Sequence, residues 1–426
     1  MIFLRWHAIS KMLPTRYNYK KMTNQKKKIA IIGTVGLPAR YGGFETLTEH
    51  LVQNMGEEYD LTVYCSAKKY SAHERVKTYK NAQLKYIPLD ANGAQSVLYD
   101  SISIVHALFY ADVLLILGVA GAWLLPFVRV FTKKRIIVSI DGIEWKRNKW
   151  NGLAKCYLWW AEKLAVKYSH IDISDNESIQ DYTALRYGSL SRIIEYGADH
   201  TLNVQPTPSD KLLFPFLKVP YAIKVCRIEP ENNVHKVLEA FSDLSLHTLV
   251  IIGNWKKSDY GLSLLKKYES CPNLFLLDPI YDQRTLDVLR SNAFVYIHGH
   301  SAGGTNPSLV EAMYLELPII SYNVSYNKTT TESKALYFNS ADELKEIIRS
   351  TNIHRLKEIA SNMKEIARRR YTWKVVASGY QRTINEVLVS SKKKSVVPNV
   401  SQLNANVLLK NYASHLKYGN LFFEKV

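Results

Sequence analysis

The chain has 426 residues and a formal net charge of +18, with 47% hydrophobic and 22% charged residues. This length predicts two or more domains with sizeable cores, and the ordinary composition excludes a fibrous, collagen-like or wholly disordered chain. Residues 1–28 carry a net charge of +8, residues 391–426 carry +5, and the body between them carries only +5, so most of the positive charge lies at the two ends. This distribution argues against nucleic acid as the main partner, because nucleic-acid-binding proteins favour positive charge on the folded domain.

Strand-like and helix-like segments alternate along the first half of the chain. The segment Phe44–Met55 predicts a helix, and apolar runs predict strands at 28–33, 61–65, 84–88, 113–117, 135–140 and 171–174. The run Val113–Val128 is shorter than the ~20 residues of a membrane-spanning helix, so we expect a buried strand followed by an apolar helix. Such alternation predicts a parallel sheet covered by helices on both faces.

A proline-rich stretch, 201–220, predicts a linker, after which the pattern restarts with strands at 221–226, 248–253, 274–277, 294–297 and 319–322. The sequence therefore predicts an α/β protein with two doubly wound, Rossmann-like domains that face a central cleft. The sequence predicts a basic N-terminal extension (1–28), an N-terminal acceptor-side domain (29–205) and a C-terminal nucleotide-sugar-binding domain (206–372). A helix that returns toward the first domain (373–390) and a basic tail (391–426) follow. The four widely spaced cysteines favour a reducing, cytoplasmic compartment.

Two glycine-rich turns follow predicted strands and precede helices. In the first, Gly42 and Gly43 open the helix after residue 33, without dinucleotide-fingerprint or P-loop spacing, so a turn without a ligand remains an alternative. In the second, Gly303 and Gly304 precede Asn306, a good helix cap, and Pro307, which suits the first helical position. This second turn predicts a phosphate site.

Other side chains extend this predicted site. Glu311 lies one turn into the helix, where its carboxylate suits ribose hydroxyls. His298 and His300 are too few for a metal site, so we expect no metal.

The chain resembles family 4 glycosyltransferases of the two-domain GT-B fold. More narrowly, it is similar to bacterial rhamnosyltransferases that build capsules and exopolysaccharides. The resemblance covers residues 28–385 in order, and its most specific segments are GGTNPSLVEAM (303–313) and IDGIEWKR (140–147). It implies transfer of a sugar from a nucleotide donor with retained configuration and without a metal or other cofactor.

The resemblance also implies residue roles. Glu311 would bind the ribose or deoxyribose, and Arg227 would neutralise the leaving diphosphate. The implied donor site consists of Gly42, Gly43, Arg227, Gly253, His298, Gly303, Gly304, Thr305, Asn306 and Glu311.

Three positions depart from the pattern of the relatives. Gly303 stands where many relatives have the first glutamate of a pair, and Asn232 stands where relatives often have a lysine, which Lys236 would replace one turn later. Asp141 replaces a common histidine. The predicted catalytic residues are therefore Asp141, Arg227 and Glu311.

Alternatives remain for two of these residues. Arg227 either binds phosphate in a bidentate manner or forms a surface salt bridge with Glu229. Asp141 either orients the acceptor or caps a tight Asp-Gly turn.

The segment 145–160 mixes tryptophans with basic residues, which suits a lipid headgroup boundary, single-stranded nucleic acid, or a core with a solvated basic face. We favour an anionic membrane and assign Glu144, Trp145, Lys146 and Arg147 to the acceptor side. The expected enzyme is a peripheral protein on the inner face of the plasma membrane that transfers rhamnose from dTDP-rhamnose to a lipid-linked saccharide. The alternatives are a nucleotide-sugar epimerase on the same fold and a charge-driven nucleic-acid-binding protein.

Overall fold

The computed structural model describes residues 26–40, 42–140, 142–146, 150–390 and 393. The predicted catalytic residue Asp141, the acceptor-side residue Arg147, most of the basic N-terminal extension and nearly all of the basic tail lie outside the described residues.

The first half of the chain forms a sheet in which, among the described residues, eight strands take the order β3-β4-β2-β1-β5-β6-β7-β8. All neighbours in this sheet pair in parallel except β3, which is antiparallel to β4. The strands are β1 (Lys28–Ile32), β2 (Asp60–Ser66), β3 (Thr78–Tyr79), β4 (Ala82–Ile87), β5 (Val113–Leu117), β6 (Arg135–Ile140), β7 (Ile171–Ser174) and β8 (Arg192–Ile193).

Helices connect these strands and cover both faces of the sheet. They are α1 (Gly43–Met55), α2 (Ser96–Ala107), α3 (Leu125–Phe131), α4 (Gly152–Tyr168) and α5 (Glu177–Tyr187). Apolar residues of α1 pack into one core with the inward side chains of β1, while α2, α3 and α4 pack side chains into a separate core on the opposite face.

The second half forms a parallel sheet with the order β11-β10-β9-β12-β13-β14. Its strands are β9 (Tyr221–Val225), β10 (Thr248–Ile252), β11 (Leu274–Leu277), β12 (Val295–His298), β13 (Ile319–Tyr322) and β14 (Leu336–Phe338). The remaining helices are α6 (Pro208–Leu213), α7 (Val234–Ser242), α8 (Asp259–Tyr268), α9 (Gln283–Ser291), α10 (Pro307–Tyr314), α11 (Ser325–Thr330), α12 (Ala341–Ser350), α13 (Ile353–Arg370) and α14 (Trp373–Val389).

Most predicted strands are confirmed within one or two residues, and the predicted two-sheet α/β architecture is confirmed. The run Val113–Val128 divides into β5, a short 3-10 turn and the start of α3, and no described helix is long and apolar enough to cross a membrane. The proline-rich stretch 201–220, predicted to be a linker, contains the six-residue helix α6. Pro208 takes the first turn of α6, and Thr207 caps it by accepting from the Asp210 N–H at 3.2 Å.

Two crossings of the chain connect the halves, and they lie side by side. The Ala198 N–H donates to the carbonyl oxygen of Tyr371 at 2.7 Å, and the Asp199 carboxylate accepts from the Trp373 N–H at 2.7 Å. The helix α14 then runs along the first half, where Asn385 accepts from the Tyr59 hydroxyl at 3.0 Å. The predicted domain boundaries themselves stay predictions.

Gly197 lets the Trp373 ring lie against the first crossing, because a Cβ there would be 2.4 Å from ring atom Cδ2. We expect Gly197→Ala to displace the ring and lower the free energy of unfolding by about 1–3 kcal/mol, as overpacking does. Urea denaturation measures this change.

The matched control is Gly152→Ala, where a Cβ meets nothing within 4 Å at the start of α4. This substitution should leave the free energy of unfolding unchanged or raise it slightly, since alanine has a higher helix propensity than glycine. Equal effects of the two substitutions would contradict the packing argument.

Candidate active site

The carboxyl ends of strands from both sheets meet in a cleft. A Cβ on Gly142, just after β6, would lie 3.3 Å from the Cα of Gly303, which follows β12. A Cβ on Gly43 would lie 3.8 Å from Pro307 Cγ. The structure therefore brings the two predicted glycine turns to opposite sides of one cleft, at the sheet edge where ligands of doubly wound folds bind.

The first glycine turn closes over a buried carboxylate. Glu45 accepts hydrogen bonds from the Val35 N–H at 2.7 Å and the Thr34 hydroxyl at 3.2 Å. Gly42 has φ +137°, and a Cβ there would collide with the Glu45 carboxylate at 1.8 Å. Only glycine fits this turn, so the backbone of Gly42 and Gly43 faces the cleft without side chains.

The second turn has the predicted helix cap. The Asn306 side chain accepts from the Ser308 N–H at 3.1 Å, and Pro307 begins α10. Gly303 has φ +129° with open space around its Cβ position, which leaves its backbone accessible.

A carboxylate from the first half contacts this turn. Asp175, just after β7, accepts from the Thr305 N–H at 3.0 Å, and its carboxylate fills the space where a Gly304 Cβ would lie. The adjacent Asn176 amide donates to the Thr330 hydroxyl at 3.1 Å. Neither residue was predicted from the sequence as part of the site, because their partners lie more than 100 positions away in the chain.

Glu311 belongs to a buried network that the sequence analysis also missed. One carboxylate oxygen forms an ion pair with Arg290, and the other lies 3.2 Å from His200 Nε2. Arg290 is buried and also donates to Asp287 at 3.0 Å. Burial acts to raise the pKa of Glu311, but the Arg290 charge and His200 outweigh it, so this pKa lies below its usual value.

His200 connects Glu311 to the second crossing. The Trp373 indole N–H donates to His200 Nδ1 at 3.0 Å, so a neutral His200 carries its proton on Nε2, facing Glu311. The Trp373 ring stacks on His50 of α1 at 4.1 Å. Burial first, and then the His200 and Lys80 charges, lower the pKa of His50 to about 4.

Arg227 follows β9 and forms the ion pair that was one of its two predicted alternatives, with Glu229 at 3.6 Å. Asn232 donates to the Arg227 carbonyl oxygen at 2.7 Å. Lys236 points elsewhere, since its ammonium donates to the Tyr322 hydroxyl and to the Asn339 carbonyl, each at 3.0 Å. The expectation that Lys236 replaces the missing lysine is therefore not supported by its position.

A buried basic cluster underlies the loop after β12. The His298 and His300 ring centroids lie 4.4 Å apart in a stacked arrangement. Gly299 lies over the Lys224 ammonium, since a Cβ on Gly299 would be 2.7 Å from Lys224 Nζ. Lys224 is completely buried and, among the described residues, its ammonium has no hydrogen-bond partner. Burial lowers the pKa of Lys224. A lysine inside the apolar strand YAIKV was the available sequence signal.

Two other predicted regions have structural explanations. Gly253 follows β10, where a Cβ would be 2.5 Å from the Cys226 carbonyl oxygen, so close strand packing requires glycine. The described residues include no group of three or more His, Cys, Asp or Glu placed to hold a metal ion.

The acceptor-side residues form a short 3-10 turn after β6. Trp150 donates to the Glu144 carboxylate at 3.0 Å, and the Trp145 indole donates to the Tyr182 hydroxyl at 2.9 Å. The Arg186 guanidinium lies 4.8 Å from the Trp145 ring, and Lys146 lies 5.6 Å from it. Trp145 and Trp150 are thus partly buried and pack against the core, as the core alternative predicts for these two residues.

Comparisons with known proteins address the fold and the family. Residues 211–370 match the family model of glycosyl transferases group 1, and residues 26–199 match a domain of unknown function (DUF1972). Sucrose-phosphate synthase from Thermosynechococcus elongatus superimposes with a TM-score of 0.67 at 14% identity, over 85% of this chain and 99% of that one. The fold is GT-B.

Two further solved structures share it. Anabaena HepE in complex with UDP gives a TM-score of 0.63 at 15% identity, over 84% of this chain and 100% of that one. The E. coli trehalose-6-phosphate protein bound with UDP-2-fluoro glucose gives a TM-score of 0.63 at 12% identity, over 85% of this chain and 99% of that one. Among curated proteins, none matches the chain in sequence.

In this GT-B chain, the residues that match glycosyl transferases group 1 contribute Arg227, the Gly303–Gly304 turn and Glu311 to the cleft. The first half contributes Gly42, Gly43 and Asp175 to it.

Removing Arg290 tests the buried network. We expect Arg290→Met to lower the free energy of unfolding by about 3–5 kcal/mol, because Glu311 and Asp287 lose their cation while buried. Urea denaturation measures the loss.

The control is Arg355→Met, whose partner Glu358 lies in an exposed pair on the same half. Exposed pairs contribute little, so this variant should unfold almost as the parent does. Similar losses in the two variants would contradict a special role for the buried pair.

The lowered pKa of His50 gives a pH dependence. The unfolded chain takes up this proton near pH ~6.5, but the folded chain takes it up only near pH 4. The contribution of His50 to stability is therefore fully present above pH ~6.5 and is lost as the pH is lowered from there to about 4. The variant His50→Gln should lose this part of the pH dependence. NMR titration of the His50 ring measures the pKa directly, and titration near pH ~6.5 would refute the prediction.

Proposed function

We propose that this protein is a glycosyltransferase that moves a sugar from a nucleoside diphosphate donor to an acceptor bound in the central cleft. One observation carries the proposal: the glycosyltransferase group 1 domain presents a side-chain-free glycine turn and a capped helix to a second glycine turn across the cleft. The neighbours solved with UDP, UDP-glucose or UDP-2-fluoro glucose support a donor of this class.

The donor diphosphate would lie between the two glycine turns. The Gly303–Gly304 backbone, at the positive end of the α10 dipole, would face the phosphate, because the first N–H groups of α10 already bond to Asn306. The half-exposed Arg227 would supply a bidentate cation after moving from Glu229. Glu311 would accept hydrogen bonds from the ribose or deoxyribose. Stabilising the leaving diphosphate in this way lowers the barrier to breaking the glycosidic bond.

In its finer form, the proposal is a retaining, metal-independent rhamnosyltransferase that uses dTDP-rhamnose. The donor phosphate would take the acceptor proton on the same face of the sugar, with Asp141 or Glu144 orienting the acceptor. The acceptor would be a lipid-linked saccharide of capsule or exopolysaccharide synthesis, reached at the inner face of the plasma membrane.

A thermal-shift panel of dTDP-, UDP- and GDP-sugars tests the donor class, since a ligand that binds only the folded state raises the melting temperature. We expect one nucleotide sugar to stabilise the protein. Arg227→Gln should weaken its binding by about tenfold or more, because a charge-assisted hydrogen bond to phosphate is lost.

Arg284→Gln is the matched control, since it also removes an arginine paired with a carboxylate in the same half. Product analysis then separates the alternatives. A converted nucleotide sugar formed without acceptor would indicate an epimerase. No stabilisation by any nucleotide sugar, together with steeply salt-dependent RNA or DNA binding, would replace the proposal with nucleic-acid binding.

A further inference from the structure

An apolar stripe runs along the outer surface of α2. Leu98, Ile102, Val105 and Phe109 are spaced at helical intervals, so they share one side of the helix and its C-terminal extension, and all are exposed; Phe109 is 85% exposed. The opposite side of α2 packs Tyr99, Ile104 and Ala107 into the core beneath the sheet. Helix α2 is therefore apolar on both sides.

The stripe continues across the two neighbouring helices. Trp123, Phe127 and Phe131 are exposed on and just before α3, where Phe131 is 78% exposed, and Leu153, Trp159 and Trp160 are exposed on α4. Three contacts show that the helices are adjacent: the Trp123 indole donates to Ser101 of α2, Tyr157 of α4 hydrogen-bonds the Ala120 carbonyl, and α3 packs on α4. We name these residues and those of the α2 stripe the three-helix face.

The charge around the three-helix face is mainly positive. The segments 93–140 and 150–171 contain three acidic residues: Asp100 and Glu162 are buried, and the partly buried Asp112 accepts from the Lys28 N–H at 2.9 Å. Basic residues lie on the same helices or directly after them; Lys133, Lys163 and Lys167 are exposed. An apolar surface with tryptophans and surrounding lysines has the composition of interfacial membrane-binding elements.

The face also has a defined position in the fold. Each of its helices begins at the carboxyl edge of the first sheet, where the cleft lies, and ends at the opposite edge. Lys393, where the basic tail begins, donates to the Asp172 carboxylate at 2.7 Å and to the Ser169 hydroxyl at 3.2 Å, next to the end of α4. The basic tail therefore starts beside the three-helix face.

We propose that the three-helix face is the surface by which this protein docks on an anionic phospholipid bilayer, with its aromatic and aliphatic side chains in the headgroup boundary. A second copy of the chain is a poorer occupant, because a two-fold dimer would place the same lysines against each other without exposed carboxylates to pair them. Anionic headgroups provide the missing negative charge. The purpose of this docking would be access to a lipid-linked acceptor at the cleft edge, and that purpose rests on the proposed function.

The experiment is sedimentation of the full-length protein with vesicles of phosphatidylcholine alone or with added phosphatidylglycerol. We expect binding only to the anionic vesicles, weakened by added salt. The variant Phe109→Ser, Phe127→Ser, Phe131→Ser should lower the partition coefficient at least about tenfold. Its control, Leu212→Ser, Leu213→Ser, Leu246→Ser, removes equally exposed apolar side chains from the second half and should bind like the parent.

A second pair of variants tests the charge. Lys133→Glu, Lys163→Glu, Lys167→Glu should abolish the preference for anionic vesicles, whereas the exposed set Lys211→Glu, Lys266→Glu, Lys357→Glu should retain it. Thermal shifts with nucleotide sugars on the same variants separate this proposal from the proposed function, because the three-helix face lies outside the donor site.

Three results would overturn the docking proposal: no vesicle binding by the parent protein, equal binding by the aromatic variant and its control, or a dimer in analytical ultracentrifugation that only the aromatic variant dissociates. If no nucleotide sugar binds while vesicle binding depends on the face as expected, the proposed function fails and the docking surface stands.

Discussion

The buried ion pair between Arg290 and Glu311 is the interaction on which the arrangement of the cleft depends. Two charges removed from water require each other, because either one alone would carry the full cost of desolvation. Glu311 also binds His200, and His200 accepts from Trp373, whose ring stacks on His50. A single network therefore joins α9 and α10 of the second half to both crossings and to α1 of the first half.

Backbone proximity complements this network at the cleft. Gly142 and Gly304 allow the two halves to approach where side chains would collide. Asp175 places a carboxylate against the turn whose N–H groups suit phosphate. The same turn thus binds a negative group from the protein itself, and a donor diphosphate that binds there has a carboxylate beside it, which makes the positive charge of Arg227 more important.

The sequence predicted the architecture well, because buried parallel strands are apolar runs separated by helices. It missed β3, β8 and β14, since two or three residues carry no periodicity. Glycine turns and Glu311 were found through local motifs, but Arg290 and His200 were not, because their partner lies 21 and 111 positions away in the chain. The apolar composition of α3 was visible in the sequence, whereas the exposure of Phe127 and Phe131 depends on which side of the helix faces the sheet.

The two crossings between the halves have a mechanical consequence. Ala198 and Tyr371 are hydrogen-bonded to each other, so both covalent connections pass through nearly one point. A body attached at one place can swing about an axis through that place but resists sliding along it. The halves can therefore rotate about an axis near Ala198 and Tyr371, and any opening that admits a large substrate must break the hydrogen bonds of Asp175 with Thr305 and of Asn176 with Thr330.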